Sequence, residues 1–146
     1  MRIVHVTDEA GFVAHPGLLE RAERVHRQLR TALPADYAAK MARVFAGGGR
    51  MIVAAEHEHV LGVAVYRVNE NTSVGLHLYV DDLVTDEPQR SRGVGKLLLA
   101  ECERIARERG CRMLVLDSGT QRRDAHRFYF RERMAVTAFH FNKELA

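Results

Sequence analysis

Cysteine is scarce in this sequence, and the scarcity excludes a disulfide scaffold. Cys102 and Cys111 are the only two, whereas a short chain built on disulfides carries several pairs. Cys102 falls on the apolar face of an expected helix and Cys111 in the turn after it, so both read as free thiols in a reducing compartment. Long apolar runs are missing too. None approaches the ~20 residues that span a bilayer, and Met1 to Asp8 has no apolar segment of leader length before its first acid. A cytoplasmic protein without a membrane partner is expected. Charge of one sign is also lacking: 22 basic residues face 19 acidic ones, for a net charge of +3. Most are interleaved, as in Glu101-Cys102-Glu103-Arg104 and Arg107-Glu108-Arg109. Aromatics make up only 7%, and a nucleic-acid surface needs a basic stripe with stacking aromatics. The one candidate is Arg122, Arg123, Arg127, Arg131 and Arg133, four of them at helical spacing. It suits an anionic cofactor or substrate equally well, so no nucleic-acid partner is expected.

What is present describes an ordinary globular domain. A chain of 146 residues with 47% hydrophobic content buries roughly 68–70% of its unfolded surface and needs no staples. No repeat, low-complexity stretch or linker interrupts it, so residues 1–146 are expected to form a single domain. Arg2 to Thr7 alternates as a first strand. Pro16 opens a helix in which Leu18, Leu19, Ala22, Val25, His26 and Leu29 share a face. A second helix follows Pro34, carries Tyr37, Ala38, Met41, Ala42 and Phe45, and stops at Gly47-Gly48-Gly49. Met51–Ala55 and Val60–Val68 read as a hairpin around Glu56-His57-Glu58-His59. His57 and His59 have a spacing that can bind a metal, but no third ligand is near, and no metal is called for.

Residues 74–117 read as one crossover unit. Val74 to Thr85 is a long strand, and Asp86 to Gly95 leads straight into an amphipathic helix with Val94, Leu98, Cys102, Ile105 and Ala106 on one face. Gly110 ends that helix, and Met113–Leu116 is a continuous apolar run suited to a strand covered on both faces. The two strands are therefore expected to be neighbours and roughly parallel. Arg122–Arg133 reads as a shorter helix and Val136–Phe141 as a final strand, whose apolar face can pair across a homodimer. The order is β-α-α-β-β-β-α-β-α-β.

The residues richest in chemistry are Arg90-Ser91-Arg92-Gly93-Val94-Gly95. Glycines between a strand end and a helix start let backbone N–H groups approach an anion closely, and the helix end adds about half a positive charge. Arg90 and Arg92 add cationic donors and Ser91 a hydroxyl. The loop is either a pyrophosphate cradle or a plain tight turn. It lacks the Gly-Lys-Ser/Thr ending of a P-loop, and its single Gly-x-Gly falls short of the dinucleotide fingerprint.

Strand, arginine–glycine loop, amphipathic helix, buried strand and then Ala125-His126-Arg127-Phe128-Tyr129 together resemble the Gcn5-related N-acetyltransferase (GNAT) family over nearly the whole chain. The family's loop pattern, Gln/Arg-x-x-Gly-x-Gly/Ala, is matched by Arg90, Gly93 and Gly95. The resemblance implies an α/β (α+β) fold with a mixed, mostly antiparallel sheet of about six strands and four helices. It also implies acetyl-CoA as co-substrate. The backbone of Leu83, Val84 and Thr85 would pair with the pantetheine arm, and the N–H groups from Arg90 through Ser91, Arg92, Gly93, Val94 and Gly95 to Lys96 would hold the pyrophosphate. Ser91 stands where many relatives have glycine, and Arg133 where the family usually has one before its last strand. If that second position needs positive φ, arginine there costs on the order of 1 kcal/mol.

Tyr129 matches the tyrosine that acts as general acid in many members. A phenol of pKa ~10 can protonate a leaving thiolate; taken alone, Tyr129 reads equally as core beside Phe128. Asp81 and Asp82 resemble the acidic pair of polyamine-type relatives, and would bind a cationic acceptor or relay its proton through water. Alternation along a strand lets only one of them meet substrate, and both can equally cap the strand end or pair with arginines. His77 is a further candidate base or a structural histidine. The expected activity is acetyl transfer to a primary amine, by direct attack in a ternary complex, with a small cationic metabolite as acceptor. The alternatives are a non-catalytic acetyl-CoA sensor or regulatory module, and a protein N-acetyltransferase.

Overall fold

The computed structural model describes residues 1–146. Two compact units compose it, Met1–Val115 and Leu116–Ala146. From Arg2 the order is β1 (Arg2–His5), α1 (Pro16–Leu29), α2 (Tyr37–Ala46), β2 (Arg50–Glu56), β3 (His59–Asn71), β4 (Gly75–Thr85), a 3-10 turn at Glu87–Gln89, α3 (Val94–Glu108) and β5 (Met113–Leu116), which ends at the boundary of the first unit. The strands form one sheet in the order β1-β2-β3-β4-β5. The pairs from β1 through β4 are antiparallel. The Arg112 N–H donates to the Leu76 carbonyl at 2.9 Å, which brings the start of β5 beside the start of β4, as a crossover requires.

Alternation decides which helix each strand residue meets. Met51, Val53, Val63 and Val65 join Leu18, Ala22, Val25, Met41 and Phe45 in a core under α1 and α2. The intervening Ile52, Ala54 and Ala64 are equally buried and face α3, which packs across β2, β3 and β4. That second cover explains why β2 reads as an unbroken apolar run. Pro16 sits in the first turn of α1, where its missing N–H does no harm. Asp36 caps α2 by accepting from the Ala39 N–H at 3.0 Å. Cys102 is on the buried face of α3, Cys111 is half-buried, and neither is in a disulfide. Burial pushes the Cys102 thiol up to about 12. No helix is long and apolar enough to cross a membrane.

The second unit contains α4 (Arg123–Arg131). The expected final strand is not formed. Ala135–Ala146 has no regular structure, and Val136, Phe139 and Phe141 are 73%, 83% and 91% exposed. Alternating apolar residues make a strand only where a neighbouring edge takes up their N–H and C=O groups, and this run is unpaired. The sheet therefore has five strands where about six were expected. Arg133, whose N–H donates to the Phe130 carbonyl, takes φ +65°, so the position does require the left-handed conformation.

Candidate active site

The loop after β4 is built around two positive-φ residues. Ser91 has φ +66° and Gly93 φ +80°. Gly93 is the N-cap of α3, and a Cβ there would meet open space; backbone conformation, not crowding, demands the glycine. The first helical bond recorded at this end is from the Leu97 N–H to the Gly93 carbonyl. The N–H groups of Val94, Gly95 and Lys96 are therefore the unspent donors of the first turn, at the positive end of a fifteen-residue helix. Arg90 and Lys96 are exposed beside them. Arg92 is committed elsewhere: it donates to Glu56 at 2.8 Å and to Gln89.

Gly62 on β3 holds this helix end against the sheet. A methyl group there would lie 2.6 Å from Val94 Cγ1 and 3.0 Å from the Val84 carbonyl oxygen. Gly62 pairs with Thr85, and Ala64 with Leu83. β5 is only four residues long and begins beside Leu76, so the eleven-residue β4 runs on past it. Leu83–Thr85 thus has β3 on one edge and no strand on the other. Asp86 fixes the exit of β4. It accepts two bonds from Arg24, at 2.9 and 2.8 Å, and one from Gln28 at 2.7 Å. The Arg24 bonds, followed by that of Gln28, hold its carboxyl below the ordinary range against the opposing effect of burial.

Asp81 and Asp82 line the same cavity, of about 490 Å³, between β4 and the α1–α2 connection. Strict alternation was expected to admit only one of them. The register explains the difference: Val65 pairs with Asp82 but Tyr66 pairs with Val80, so Asp81 is the extra residue of a β-bulge, which re-aims side chains. Both carboxylates have partners. Asp82 accepts from His26 Nε2 at 2.7 Å and Arg30 Nε at 2.6 Å, and Asp81 from Arg67 Nε at 2.7 Å. Burial alone would raise the Asp82 carboxyl, but His26 and then Arg30 hold it below the ordinary range.

A carboxylate only accepts, so Nε2 of His26 carries the proton. In the neutral ring Nδ1 then accepts from the Tyr37 hydroxyl, 2.8 Å away. Burial, together with Glu23 and Asp82, raises the Tyr37 phenol well above its usual pKa. His77 is buried and bonds the Gly75 carbonyl through Nδ1 at 2.9 Å, which makes it a brace for the start of β4. From the sequence, His26 and Tyr37 are expected only as members of the inward helix faces, and Arg30, Lys40 and Arg67 are assigned nothing. The one local signal was the polar pair His26 and Arg30, a turn apart at the inner end of an otherwise apolar face.

In the second unit, Tyr129 packs edge-on to Phe128 with ring centroids 5.3 Å apart. Burial raises its phenol above the ordinary value, with Arg122 acting in the opposite sense. The start of α4 is held by His126 Nε2, which bonds the Gly119 carbonyl at 2.8 Å.

Comparison with known proteins gives the family and the fold. Residues 18–134 match the model of the acetyltransferase (GNAT) family. An uncharacterized N-acetyltransferase, YhdJ of Bacillus subtilis strain 168, is 53% identical over 55 residues, 38% of this chain and 39% of that protein. The aminoalkylphosphonate N-acetyltransferase of Salmonella typhimurium LT2 is 41% identical over 66 residues, 45% of this chain and 43% of that protein. The chain thus matches about two fifths of the length of each curated relative. The crystal structure of a putative acetyltransferase from Agrobacterium tumefaciens C58 has the same fold, with a TM-score of 0.80 at 20% identity over 99% of this chain and 100% of that one.

Proposed function

The chain belongs to the acetyltransferase (GNAT) family, and on that premise we propose that residues 1–146 act as one catalytic domain that moves the acetyl group of acetyl-CoA to the primary amine of a small acceptor, by direct attack in a ternary complex. The observation that carries this reading is the glycine-capped end of α3, with unspent N–H groups, set directly after a strand end that has one edge unpaired. These residues fit the donor. Leu83, Val84 and Thr85 offer backbone groups to an amide-containing arm. Val94, Gly95 and Lys96, with Arg90, Ser91 and Gly93, offer a pyrophosphate N–H groups, a hydroxyl and positive charge. Arg92 contributes mainly by tying the loop to Glu56.

Acetyl-CoA supplies an acetyl group activated as a thioester, whose leaving sulfur calls for a proton. Tyr129 is the proposed holder of that proton, since a phenol raised above its ordinary pKa is fully protonated at neutral pH. The acceptor arrives as a cationic ammonium and must also lose a proton. A carboxylate held below its usual range is a weak base, so Asp82 acts through its charge while the proton leaves to water. Asp81 does the same from its bond to Arg67. The small-amine class of acceptor is supported by the name of the Salmonella relative.

The test is calorimetric titration with acetyl-CoA of the wild type, Gly93→Trp and Arg90→Ala. Saturable binding is expected, weakened ~10-fold or more by each substitution, because tryptophan at the positive-φ Gly93 strains and obstructs the start of α3 and Arg90→Ala removes a hydrogen bond to a charged group, which contributes about 1.5–3 kcal/mol. Binding that neither substitution changes would overturn the assignment of the loop. Release of free thiol with an amine present, reduced by Tyr129→Phe, separates an enzyme from a sensor that binds acetyl-CoA without turnover.

A further inference from the structure

The cavity beneath Asp81 and Asp82 carries a charge pattern that the acetyl-transfer reading leaves unexplained. Three cationic side chains line it, Arg30, Lys40 and Arg67, against the two carboxylates. Both carboxylates are taken: Arg30 and His26 hold Asp82, and Arg67 holds Asp81. Arg30 also donates through Nη2 to the Asp81 carbonyl at 2.9 Å, and Arg67 through Nη1 to the Gly47 carbonyl at 3.3 Å. Each guanidinium has five N–H donors, and the remaining ones stay available at the cavity wall. Lys40 is half-buried and bonds no carboxylate. Among Arg30, Lys40, Arg67, Asp81 and Asp82 the wall has an excess of one positive charge, centred on Lys40.

A polycation entering this space would meet two carboxylates already neutralised and a bare ammonium. A plain alkylamine would leave Lys40 without a partner. An amine that also bears a compact oxyanion satisfies both ends. We infer that this chain's acceptor is a short zwitterion, an amine joined by a few carbons to a carboxylate or phosphonate, whose oxyanion is bound by Lys40 and the spare donors of Arg30 and Arg67. The inference rests on the acetyltransferase reading and narrows its substrate class from a free cation to a zwitterion. Asp81 and Asp82, compensated in charge but with acceptor capacity left beyond their bonds to His26, Arg30 and Arg67, then take a hydrogen bond from the single ammonium end. On β4 they directly precede Leu83–Thr85, the stretch assigned to the donor, and three residues of strand span roughly 10 Å. An acceptor anchored at Lys40 must therefore be short.

The experiment measures kcat/KM by thiol release on the full chain with 2-aminoethylphosphonate, β-alanine, ethylamine and spermidine. A parallel calorimetric titration of the chain with 2-aminoethylphosphonate and with ethylamine, without acetyl-CoA, reads binding independently of turnover. One oxyanion acceptor should exceed ethylamine by ~100-fold, the usual scale of two charge-assisted hydrogen bonds, and should exceed spermidine as well. The ratio of phosphonate to carboxylate identifies which oxyanion the wall prefers. Lys40→Ala should reduce the oxyanion-to-ethylamine ratio at least ~10-fold, and Lys40→Arg should retain most of it. Equal or better use of ethylamine or spermidine, or a ratio indifferent to Lys40→Ala, overturns the inference and leaves acetyl transfer standing. If no amine is turned over, calorimetric binding of 2-aminoethylphosphonate that Lys40→Ala weakens still supports it, and binding that Lys40→Ala leaves unchanged, or none, overturns it. Failure to bind acetyl-CoA at all is the separate result that removes the reading beneath.

Discussion

At the scale of single residues, three side chains occupy backbone conformations that glycine would hold at less strain: His57, Ser91 and Arg133, at φ +52°, +66° and +65°. For Ser91 and Arg133 the sequence contained the clue, since each stands where the family tends to place glycine. The left-handed region costs a non-glycine residue roughly 1–2 kcal/mol. Arg133 forms no ion pair that would offset this. Arg133→Gly should therefore raise stability by about 1 kcal/mol, or about 2–4 °C in Tm for a chain near this size, less whatever entropy glycine adds to the unfolded chain. Differential scanning calorimetry checks it, and a lower Tm would mean that arginine contributes a contact outweighing its strain. Ser91→Gly relieves comparable strain but deletes a hydroxyl from the proposed phosphate loop, so Tm should rise while acetyl-CoA affinity does not.

At the scale of elements, legibility followed the range over which each signal acts. Helix α1 was readable because Pro16 and the spacing of Leu18, Ala22 and Val25 are local, and the hairpin of β2 and β3 because its turn is. The bulge at Asp81 was not readable, since it exists only in the register between β4 and β3. The His26–Asp82 bond joins residues 56 apart in sequence, and no window along the chain reveals it. The final strand failed in the opposite way: Val136–Phe141 has strand-like residues, but pairing, which composition does not encode, is absent. Gly62 belongs to the same class of hidden feature, an unremarkable glycine in an apolar run that sets how closely α3 approaches β3. Gly62→Ala would bring a methyl to 3.0 Å from a backbone carbonyl as well as 2.6 Å from the Val94 side chain. Val94 can rotate away, whereas the Val84 carbonyl is held in the β3–β4 ladder. Overpacking of this kind costs about 1–3 kcal/mol. Chemical denaturation should show that loss, and acetyl-CoA affinity should fall with it because the amino end of α3 is displaced. A destabilised variant with unchanged affinity would separate helix packing from the site.

At the scale of the molecule, the carboxylates that organise the fold make its stability depend on acid. Asp82, Asp86 and Glu101 all titrate below their ordinary ranges. For Glu101 the largest cause is its bond to Arg104, which outweighs burial, with His5 adding to it. A depressed carboxyl contributes stability that is fully present above its unfolded pKa, near 3.9 for Asp and 4.3 for Glu. That contribution is lost as pH falls through the lower folded value. Stability should therefore be flat in these groups from neutral pH down to about 5 and decline below about 4. Asp86 offers the cleanest single test, because its carboxylate is buried and accepts three bonds from α1. Arg24 is well exposed, with 64% of its side chain in solvent, so screening limits the loss in Asp86→Asn to roughly 1–2 kcal/mol at pH 7. Below about pH 4 the carboxyl of the unfolded wild type takes up its proton first, so the advantage of the folded carboxylate over the amide shrinks as the pH falls. Urea unfolding of both proteins should accordingly show a gap at pH 7 that narrows toward pH 3. A gap that stayed constant across that range would mean that Asp86 matters for shape alone, and that the acid sensitivity of the fold resides in Asp82 and Glu101.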